Sequence, residues 1–295
     1  MHISPRFLIS GALARILKRP PSSRPGAVDP AYCYGVGIRH LAMAQKCGMA
    51  GVPKVVAELG VGRSLGAGLV FLLAGSEHLI ALDERDFLER DRLLAMFDGL
   101  VELFRAGARP NTADNFPSFE PPKLLLTERV GELRADLERF VTTGHSRFIT
   151  YLAPWQTGEL PRADFLFSHA VLQQVRNLDK TWRDIAAIMS PGGYTTHQFD
   201  MTSFGTSKVW NGHWAYPEWA WKLGLAEEKG LYLNRQPFSG HVEHAKRHAR
   251  VVWAAGVELD GGLKPSQLAK RWRSLNENDA RTHGGFVVAT PDESR

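Results

Sequence analysis

The stretch "KVVAELGVGRSLGAG" at residues 54–68 runs from an apolar segment into a loop with several glycines. Its first part, residues 54–60, is a short valine-rich run that ends at a glycine, which predicts a buried β-strand. The segment that follows, "LGAGLVFLLAG" at 65–75, predicts a buried helix. A strand, a glycine loop and a helix in this order are typical of a turn that binds a nucleotide or a related cofactor.

The spacing of the glycines does not match the common phosphate-binding motifs. The dinucleotide motif is G-x-G-x-x-G/A, whereas Gly60, Gly62 and Gly66 give G-x-G-x-x-x-G. A P-loop is excluded more firmly, because no Gly-Lys-Ser/Thr follows the loop. The glycines alone therefore indicate a ligand-binding turn without identifying the ligand.

Two acidic residues at predicted strand ends narrow the choice of ligand. Glu58 stands just before the glycines, and Asp83 ends the next predicted strand, residues 78–83. At roughly 5 Å and a dielectric constant near 20, Glu58 would repel each phosphate charge by about 3 kcal/mol. A cationic ligand without phosphate suits Glu58, and Asp83 is placed to accept hydrogen bonds from ribose hydroxyls. The alternative is that Glu58 caps the following helix and Asp83 caps its own.

Strands and helices alternate along most of the chain, which predicts an α/β fold with an open, mostly parallel sheet and helices on both faces. Ligands bind such sheets at the carboxyl ends of the strands, where the strand order reverses. The predicted helices after the first are 87–107, 127–144 and 177–193. The predicted strands are 54–60, 78–83, 146–153, 163–170, 194–200, 249–259 and 284–290.

Composition and charge fit a globular protein with a small-molecule ligand. The chain has 295 residues, 44% hydrophobic and 23% charged, and a net charge of +5 without basic clusters, which does not call for nucleic acid. Its two cysteines suit a reducing cytoplasm. Residues 1–50 are predicted to form an N-terminal helical cap and a linker, and 51–295 one domain. The basic N-terminal segment would either cap this domain or lie on a membrane surface.

Three motifs together resemble the ordered motif set of class I S-adenosylmethionine-dependent methyltransferases. They are "VVAELGVGRSLGAG…HLIALD", "ADFLFSHAVLQQV" and "IAAIMSPGGY". The resemblance implies a seven-stranded Rossmann-like sheet and S-adenosylmethionine as cofactor, a ligand with an ammonium, a sulfonium and no phosphate. One departure is that the histidine usual in the second motif is Gln173 here. The implied cofactor residues are Glu58, Gly60, Gly62, Gly66, Asp83, Ala153, Pro154, Ser168 and His169.

The segment after the fifth strand is rich in aromatic residues, and residues 196–223 and 231–241 resemble an uncharacterised bacterial subgroup of such methyltransferases. We expect an insert at about 201–248 that covers the acceptor, a small molecule or a glycan- or lipid-linked group. Aromatic faces suit sugars or flat acceptors, although a lid packed on the core explains them as well. We expect Trp219 and Trp221 in the core. Candidate substrate-binding residues are Trp210, Asn211, Trp214, Asn234 and Arg235.

Transfer of a methyl group to a hydroxyl needs a general base, for which histidine is best suited. His197 and His213 are the candidate bases, and Asp200 would orient one of them or bind an acceptor hydroxyl. His241, His244 and His248 share one face of a helix, but we expect no metal there because no carboxylate–histidine motif accompanies them. Two rival hypotheses stay open: an NAD(P)-dependent oxidoreductase and a methyltransferase-like binding protein without activity.

Overall fold

The computed structural model describes residues 6–9, 28–110, 116–158, 160–224 and 232–292. Its described part contains one seven-stranded sheet with the strand order β3-β2-β1-β4-β5-β7-β6. Strands β1 to β5 are parallel, and β7 is antiparallel to both β5 and β6. The predicted seven-stranded, mostly parallel sheet is confirmed. The strands are β1 (Val55–Leu59), β2 (His78–Leu82), β3 (Ile149–Leu152), β4 (Ala163–His169), β5 (Met189–Asp200), β6 (Ala249–Glu258) and β7 (Thr282–Pro291).

Helices cover both faces of the sheet, as predicted. One face is covered by α1, α2, α3 and α4, which share an apolar core with Val56 of β1 and Phe167 of β4. The other face is covered by α5 and α7, and its core includes Ala57 of β1 and Trp182 of α5. The helices are α1 (Pro30–Lys46), α2 (Gly66–Ala74), α3 (Leu93–Arg105), α4 (Val130–Thr143), α5 (Leu178–Ile188), α6 (Glu218–Gly224), α7 (Phe238–His248) and α8 (Glu277–Arg281).

One predicted boundary is wrong. The helix predicted over 177–193 ends at Ile188, and β5 begins at Met189, which pairs with Ala163. The glycine pair belongs to an irregularity in this pairing. Gly192 has a φ of +72°, and a Cβ at Gly193 would lie 2.9 Å from the Asp164 carbonyl oxygen. The glycines are therefore needed because the backbone passes close to β4, and the chain enters the sheet earlier than the helical pattern suggests.

Helix α1 is part of the core and not only a cap. Asp29 caps its N-terminus by accepting a hydrogen bond from the Tyr32 N–H at 2.7 Å. Twelve consecutive residues, 33–44, are buried between α2, α3 and β5. The helices approach closely, since a Cβ at Gly37 would lie 2.8 Å from the Val70 Cβ. This packing carries polar residues of α1 to the carboxyl edge of the sheet. Of the linker predicted at 20–30, residues 20–27 lie outside the described residues and Pro30 begins α1, and most of the predicted N-terminal helix also lies outside them.

The chain beyond β5 forms a structure built from two separate segments. Trp214 packs with Leu263, Leu268 and Trp272, which joins the segment 201–224 to the segment 259–281 between β6 and β7. Helix α7 packs against α5 and β6 in the helix layer. Of the insert expected at 201–248, the last eleven residues thus form a regular helix of the fold. The segment 259–281, which was not part of that prediction, packs against the segment 201–224 instead.

Candidate functional site

The loop after β1 bends over the end of β2. Gly60 and Gly62 have φ values of +81° and +62°, a conformation that favours glycine. The Gly60 N–H donates to the Leu82 carbonyl at 2.7 Å, and the Gly62 N–H donates to Oδ2 of Asp83 at 2.8 Å. A Cβ at Gly60 would overlap the side chain of Val171. Both predicted glycines are thus fixed in the loop between β1 and α2, against the end of β2.

Glu58 lies at the first turn of α2. Its side chain is buried, and Oε2 accepts a hydrogen bond from the Gly68 N–H at 2.9 Å. Burial raises the pKa of this carboxyl to about 8, although the bond from Gly68 acts in the opposite direction. A Cβ at Gly68 would lie 2.6 Å from Cδ1 of Leu79 and 2.9 Å from Oε2 of Glu58, so glycine permits this close approach. The carboxylate therefore occupies the place where a dinucleotide fold holds its pyrophosphate.

Asp83 sits beside the glycine loop and close to the turn after β3. Besides the bond from Gly62, its Oδ1 accepts a hydrogen bond from the Glu84 N–H at 2.7 Å. Burial raises the pKa of Asp83, and the backbone N–H donors oppose this shift. A carboxylate can accept about four hydrogen bonds, so Asp83 keeps capacity for a ligand. The Trp155 N–H donates to the Asp83 carbonyl at 3.0 Å, which brings the turn that contains Ala153 and Pro154 next to Asp83.

Two of the predicted cofactor residues, Gly66 and Ser168, are buried and make packing or hydrogen-bond contacts beneath the loop. A Cβ at Gly66 would lie 2.7 Å from Sγ of Cys33, so this glycine permits α2 to pack against α1. Ser168 is fully buried, and its Oγ is 2.7 Å from Nδ1 of His197. His169, by contrast, is half-buried at the end of β4.

The two predicted histidine bases lie in the interior. His197 faces α5, where its ring packs against Trp182, and its Nε2 is 2.7 Å from Oγ1 of Thr195. With Ser168 at Nδ1, both ring nitrogens are engaged. Burial lowers the pKa of His197 to about 3. Burial and the charge of Arg235 likewise lower the pKa of His213 to about 3.

Asp200 remains half-buried at the end of β5, and its Oδ1 accepts a hydrogen bond from the Thr202 N–H at 2.8 Å. Of the three predicted catalytic residues, all within the described chain, Asp200 alone is partly exposed at the edge of the sheet. Its second carboxylate oxygen leaves capacity to bind an acceptor group.

Most of the predicted substrate-binding residues hold loops together. Asn211 makes three hydrogen bonds to the backbone, to the Leu263 N–H and to the carbonyls of Leu263 and Ala280. Asn234 donates to the carbonyls of Leu172 and Val175. The structure thus uses the amides of the segment after β5 to satisfy the backbone of neighbouring loops.

The buried guanidinium of Arg235 donates to the Tyr216 carbonyl at 2.9 Å and forms an ion pair with Glu218. The fully buried Trp214 donates from its indole N–H to the Arg235 carbonyl. Trp210 is half-buried, with its ring 6.0 Å from that of His283.

The prediction for Trp221 is confirmed, and the prediction for Trp219 is wrong. Trp221 is buried beside Tyr216, with the Arg235 guanidinium 4.7 Å above its ring. Trp219 is 69% exposed. The two side chains are two residues apart on α6, and positions two apart on a helix point in different directions. They therefore could not both enter the core.

A polar group on α1 that was not predicted from the sequence reaches the ends of β4 and β5. His40 is fully buried between Oγ1 of Thr196 and Nδ1 of His169. The ring of Tyr32 lies edge-on to that of His169, with 5.9 Å between the centroids. Tyr32 and Arg39 are seven residues apart, so they share a face of α1. That spacing in "YCYGVGIRH" was the available signal.

The three histidines of α7 do not come together. His244 and His248 each lie 3.1 Å from Oδ1 of Asp179, whereas His241 is buried with its ring against Phe199. Across the residues that the structure describes, there is no group of three or more His, Cys, Asp or Glu side chains that could hold a metal ion.

Comparisons with known proteins give structural likeness only. The chain matches no protein-family model and no curated protein. A Mesorhizobium loti S-adenosylmethionine-dependent methyltransferase is 13% identical, with 84% of this chain and 96% of that chain covered and a TM-score of 0.40. A putative one from Listeria monocytogenes is 11% identical, with 88% and 98% covered and a TM-score of 0.42. The putative methyltransferase in a complex with the Haloferax volcanii Trm112 methyltransferase activator is 14% identical, with 99% and 100% covered and a TM-score of 0.41.

At such values the fold assignment rests on the strand order and on the site itself. The strand order is β3-β2-β1-β4-β5-β7-β6, with β7 antiparallel. The chain adds strands outward on one side from β1 to β3 and then on the other side from β4, so the switch point lies between β1 and β4. The acid and the glycine loop stand at this switch point, where open sheets bind their ligands. The chain has the Rossmann-like fold of class I S-adenosylmethionine-dependent methyltransferases.

Proposed function

We propose that this protein is an S-adenosylmethionine-dependent methyltransferase. The observation that carries the proposal is the buried side chain of Glu58 on β1, which accepts a hydrogen bond from the first turn of α2 and lies near Asp83 at the end of β2. The raised pKa of Glu58 identifies a carboxyl whose ionised form gains from a nearby cation. The residues therefore fit the cofactor: Glu58 and the Gly60–Gly62 loop toward its methionine part, and Asp83 toward its ribose. When bound, the cofactor would supply an electrophilic methyl group.

The same observation argues against an NAD(P)-dependent oxidoreductase. Such enzymes place the pyrophosphate at the N-terminus of the helix after the glycine loop. Here the Gly68 N–H already donates to Glu58. A phosphate at that point would oppose the ionised form of Glu58 or would force the side chain out of its pocket. A ligand with positive charge meets neither obstacle.

For the acceptor, we propose a hydroxyl on a small molecule or on a glycan- or lipid-linked group in the cytoplasm. The support is the polar group at the ends of β4 and β5, where Tyr32, His169 and Asp200 lie at the edge of the sheet. Loss of a hydroxyl proton requires such groups, because the acceptor oxygen becomes positively charged as it is methylated. The segments 201–224 and 259–281 would form the wall around this acceptor.

Contact with a membrane surface is a further part of the proposal. Residues 1–28 carry five arginines and lysines and no acidic residue. In their described part, Phe7 packs on Tyr216 and Trp221, while Ile9 stays 59% exposed. Basic and apolar side chains together favour anionic lipid. No helix among the described residues is long and apolar enough to cross a membrane.

Binding of the proposed cofactor is tested by titration calorimetry with S-adenosylmethionine, S-adenosylhomocysteine and NADH. We expect both sulfur compounds to bind and NADH to give no heat of binding. In Glu58→Gln, a charge-assisted contact is replaced by a neutral one, which should weaken S-adenosylmethionine by about 100-fold. Glu77→Gln is the matched control, since Glu77 is an exposed residue that pairs with Lys54. Binding of NADH without either sulfur compound would refute the proposal.

A methyltransferase-like binding protein without activity is distinguished by its lack of turnover. The assay incubates the protein and tritiated S-adenosylmethionine with the small-molecule and the lipid fractions of a cell extract. Transfer of label to either fraction supports an enzyme and identifies the class of acceptor. Tight cofactor binding with no transfer to any fraction would favour the binding protein instead.

A further inference from the structure

Three side chains from α1, β4 and β5 form a hydrogen-bonded chain that ends at the carboxyl edge of the sheet. Nδ1 of His40 is 2.8 Å from Oγ1 of Thr196, and Nε2 of His40 is 3.3 Å from Nδ1 of His169. His40 and Thr196 are fully buried, whereas His169 is half-buried. The chain of bonds thus leads from the interior to the surface of the candidate site.

The proton count of this chain allows two arrangements. A neutral imidazole carries one proton, and a single proton lies between His40 and His169. If Thr196 accepts from Nδ1 of His40, then Nε2 of His40 accepts from Nδ1 of His169. Nε2 of His169 is then left with a lone pair. If the Thr196 hydroxyl donates instead, every proton shifts by one place and Nε2 of His169 becomes a donor.

His169 lies between the glycine loop after β1 and the end of β5. Ser168 pairs with Leu59 of β1, so His169 follows at the level of Gly60, and on its other side it pairs with Gln198 of β5. Tyr32, which is 43% exposed, covers the ring from α1. Among the described residues, the hydrogen bonds of the His169 ring involve Nδ1, which leaves Nε2 for a ligand.

We propose that His169 accepts the proton of the acceptor hydroxyl at Nε2, and that His40 is the positioning residue that sets its tautomer. This inference rests on the proposed methyltransferase function. In the step, the acceptor oxygen forms a bond to the methyl carbon, the carbon–sulfur bond breaks, and its electron pair stays on sulfur. The hydroxyl proton moves to Nε2 of His169, and the products are the methyl ether and S-adenosylhomocysteine.

The charges around His169 suit a weak base. Burial, followed by the charge of Arg39, lowers the pKa of His169 to about 3, and burial lowers that of His40 as well. Tyr32 and Asp200 are the other titratable groups at this edge. The ring is therefore unprotonated at neutral pH. A weak base suffices, because the hydroxyl becomes strongly acidic as its oxygen is methylated.

A first experiment needs no acceptor. The full chain, labelled with ¹⁵N-histidine and saturated with S-adenosylhomocysteine, is studied by long-range ¹H–¹⁵N correlation, which identifies the protonated nitrogen of each ring. We expect the proton of His169 on Nδ1 in the wild-type protein. We expect the same in His40→Gln, whose amide oxygen can accept that proton in place of Nε2. A proton on Nε2 of His169 in the wild-type protein would overturn the proposal.

A second experiment separates the role of His169 from cofactor binding. In His169→Asn, the amide nitrogen replaces Nδ1, and the group corresponding to Nε2 is lost. We expect transfer from tritiated S-adenosylmethionine to the methylated fraction of the extract to fall at least about 100-fold. The dissociation constant of S-adenosylhomocysteine should stay within about twofold. His40→Asn, which keeps the contact to Thr196 only, should lose about tenfold, and His40→Gln should recover most of that loss.

The outcomes distinguish this inference from the function on which it rests. If His169→Asn loses cofactor binding together with transfer, His169 belongs to the cofactor pocket, and its role as proton acceptor is overturned. Unchanged transfer in His169→Asn overturns it as well. If the wild-type protein does not bind S-adenosylhomocysteine at all, the methyltransferase function itself fails.

Discussion

The carboxyl edge of the sheet has two halves that use their polar side chains differently. At the ends of β1 and β2, Glu58 and Asp83 are bonded to backbone N–H groups of the glycine loop and of the turns beside it. Beyond β5, Asn211 and Arg235 are bonded to two or more carbonyl or N–H groups of distant loops. In the first half, the carboxyl groups keep lone pairs that a ligand can use. In the second half, the polar side chains are bonded to the backbone of neighbouring loops and hold those loops together.

The difference follows from how the connections are paired. The connections after β1 and β2 lie side by side and bond each other's backbone, as the Gly60 N–H does to the Leu82 carbonyl and the Glu89 N–H to the Arg63 carbonyl, so the side chains there keep capacity for a ligand. The segments 201–224 and 259–281 lack a sheet of their own, and buried backbone groups must find partners. Polar side chains in such segments are therefore expected to bond the backbone of these loops and not to bind a ligand. Four changes test this contrast.

The largest effect is expected for Asn211→Ala. The change leaves the Leu263 N–H and two carbonyls buried without a partner, which should lower the free energy of unfolding by roughly 4 kcal/mol. The affinity of the folded protein for S-adenosylmethionine should not change. Urea unfolding and calorimetry measure the two quantities. Asn278→Ala, on the exposed face of α8, is the control and should stay within about 0.5 kcal/mol. A large loss of affinity in Asn211→Ala would show that this half does bind the cofactor.

The next effect is a dependence on pH caused by Glu58. Its pKa is about 8 in the folded protein and about 4.5 in an unfolded chain, so between these values the native state holds a proton that the unfolded state has lost. The contribution of Glu58 to the free energy of unfolding should therefore fall as the pH rises from 5 to 8, by an amount on the order of 3 kcal/mol. Burial lowers the pKa of His169, His197, His213 and His241 to about 3, which acts in the opposite direction below the ordinary pKa of histidine. The contribution of Glu58 is therefore the difference in slope between the wild-type protein and Glu58→Gln. Urea unfolding at several pH values provides the measurement, and equal slopes in both proteins would contradict the buried state of Glu58.

The sheet and the glycine loop could be predicted because their signals are local. Valine-rich runs that end in a glycine or an acid fix both the strand and the edge at which it ends. Glu58 and Asp83 follow from that register alone. The part played by α1 was not visible, because His40 meets Thr196 at a separation of 156 residues. Charged residues such as Arg39 normally indicate a surface, so the spacing of polar residues on α1 does not by itself show which strands they meet.

The hydrogen bonds of the side chains beyond β5 could not be predicted from the sequence either. Asn211 meets Leu263 and Ala280 across 52 and 69 residues, so an asparagine suited to an acceptor looks the same as one that closes loops. His197 was expected just past the fifth strand and lies within it, and period-two alternation does not say which face of the sheet the site occupies. Its partners Ser168 and Thr195 lie on the face covered by α5.

A smaller effect separates packing from binding within the glycine loop. In Gly66→Ala, the new Cβ would lie 2.7 Å from Cys33 and 2.8 Å from Sδ of Met96, and such overpacking costs about 2 kcal/mol. Gly131→Ala on α4 is the control, because nothing lies within 4 Å of its Cβ, and it should stabilise the protein by about 0.5 kcal/mol. Both variants should bind S-adenosylmethionine as the wild-type protein does. A selective loss in Gly66→Ala would mean that Gly66 contacts the cofactor.

The smallest effect on stability is expected for Trp219→Ala, at the outer end of the second half. Because the side chain is 69% exposed, its loss should change the free energy of unfolding by less than about 0.5 kcal/mol, whereas Trp221→Ala, two residues along, should cost about 3 kcal/mol. An exposed tryptophan on α6, the helix against which Phe7 packs, has a use if that surface meets lipid. Trp219→Ala should therefore weaken sedimentation with vesicles of phosphatidylserine and phosphatidylcholine while stability is kept. Equal sedimentation of both proteins would remove Trp219 from the membrane contact and leave the basic residues to account for any binding that remains.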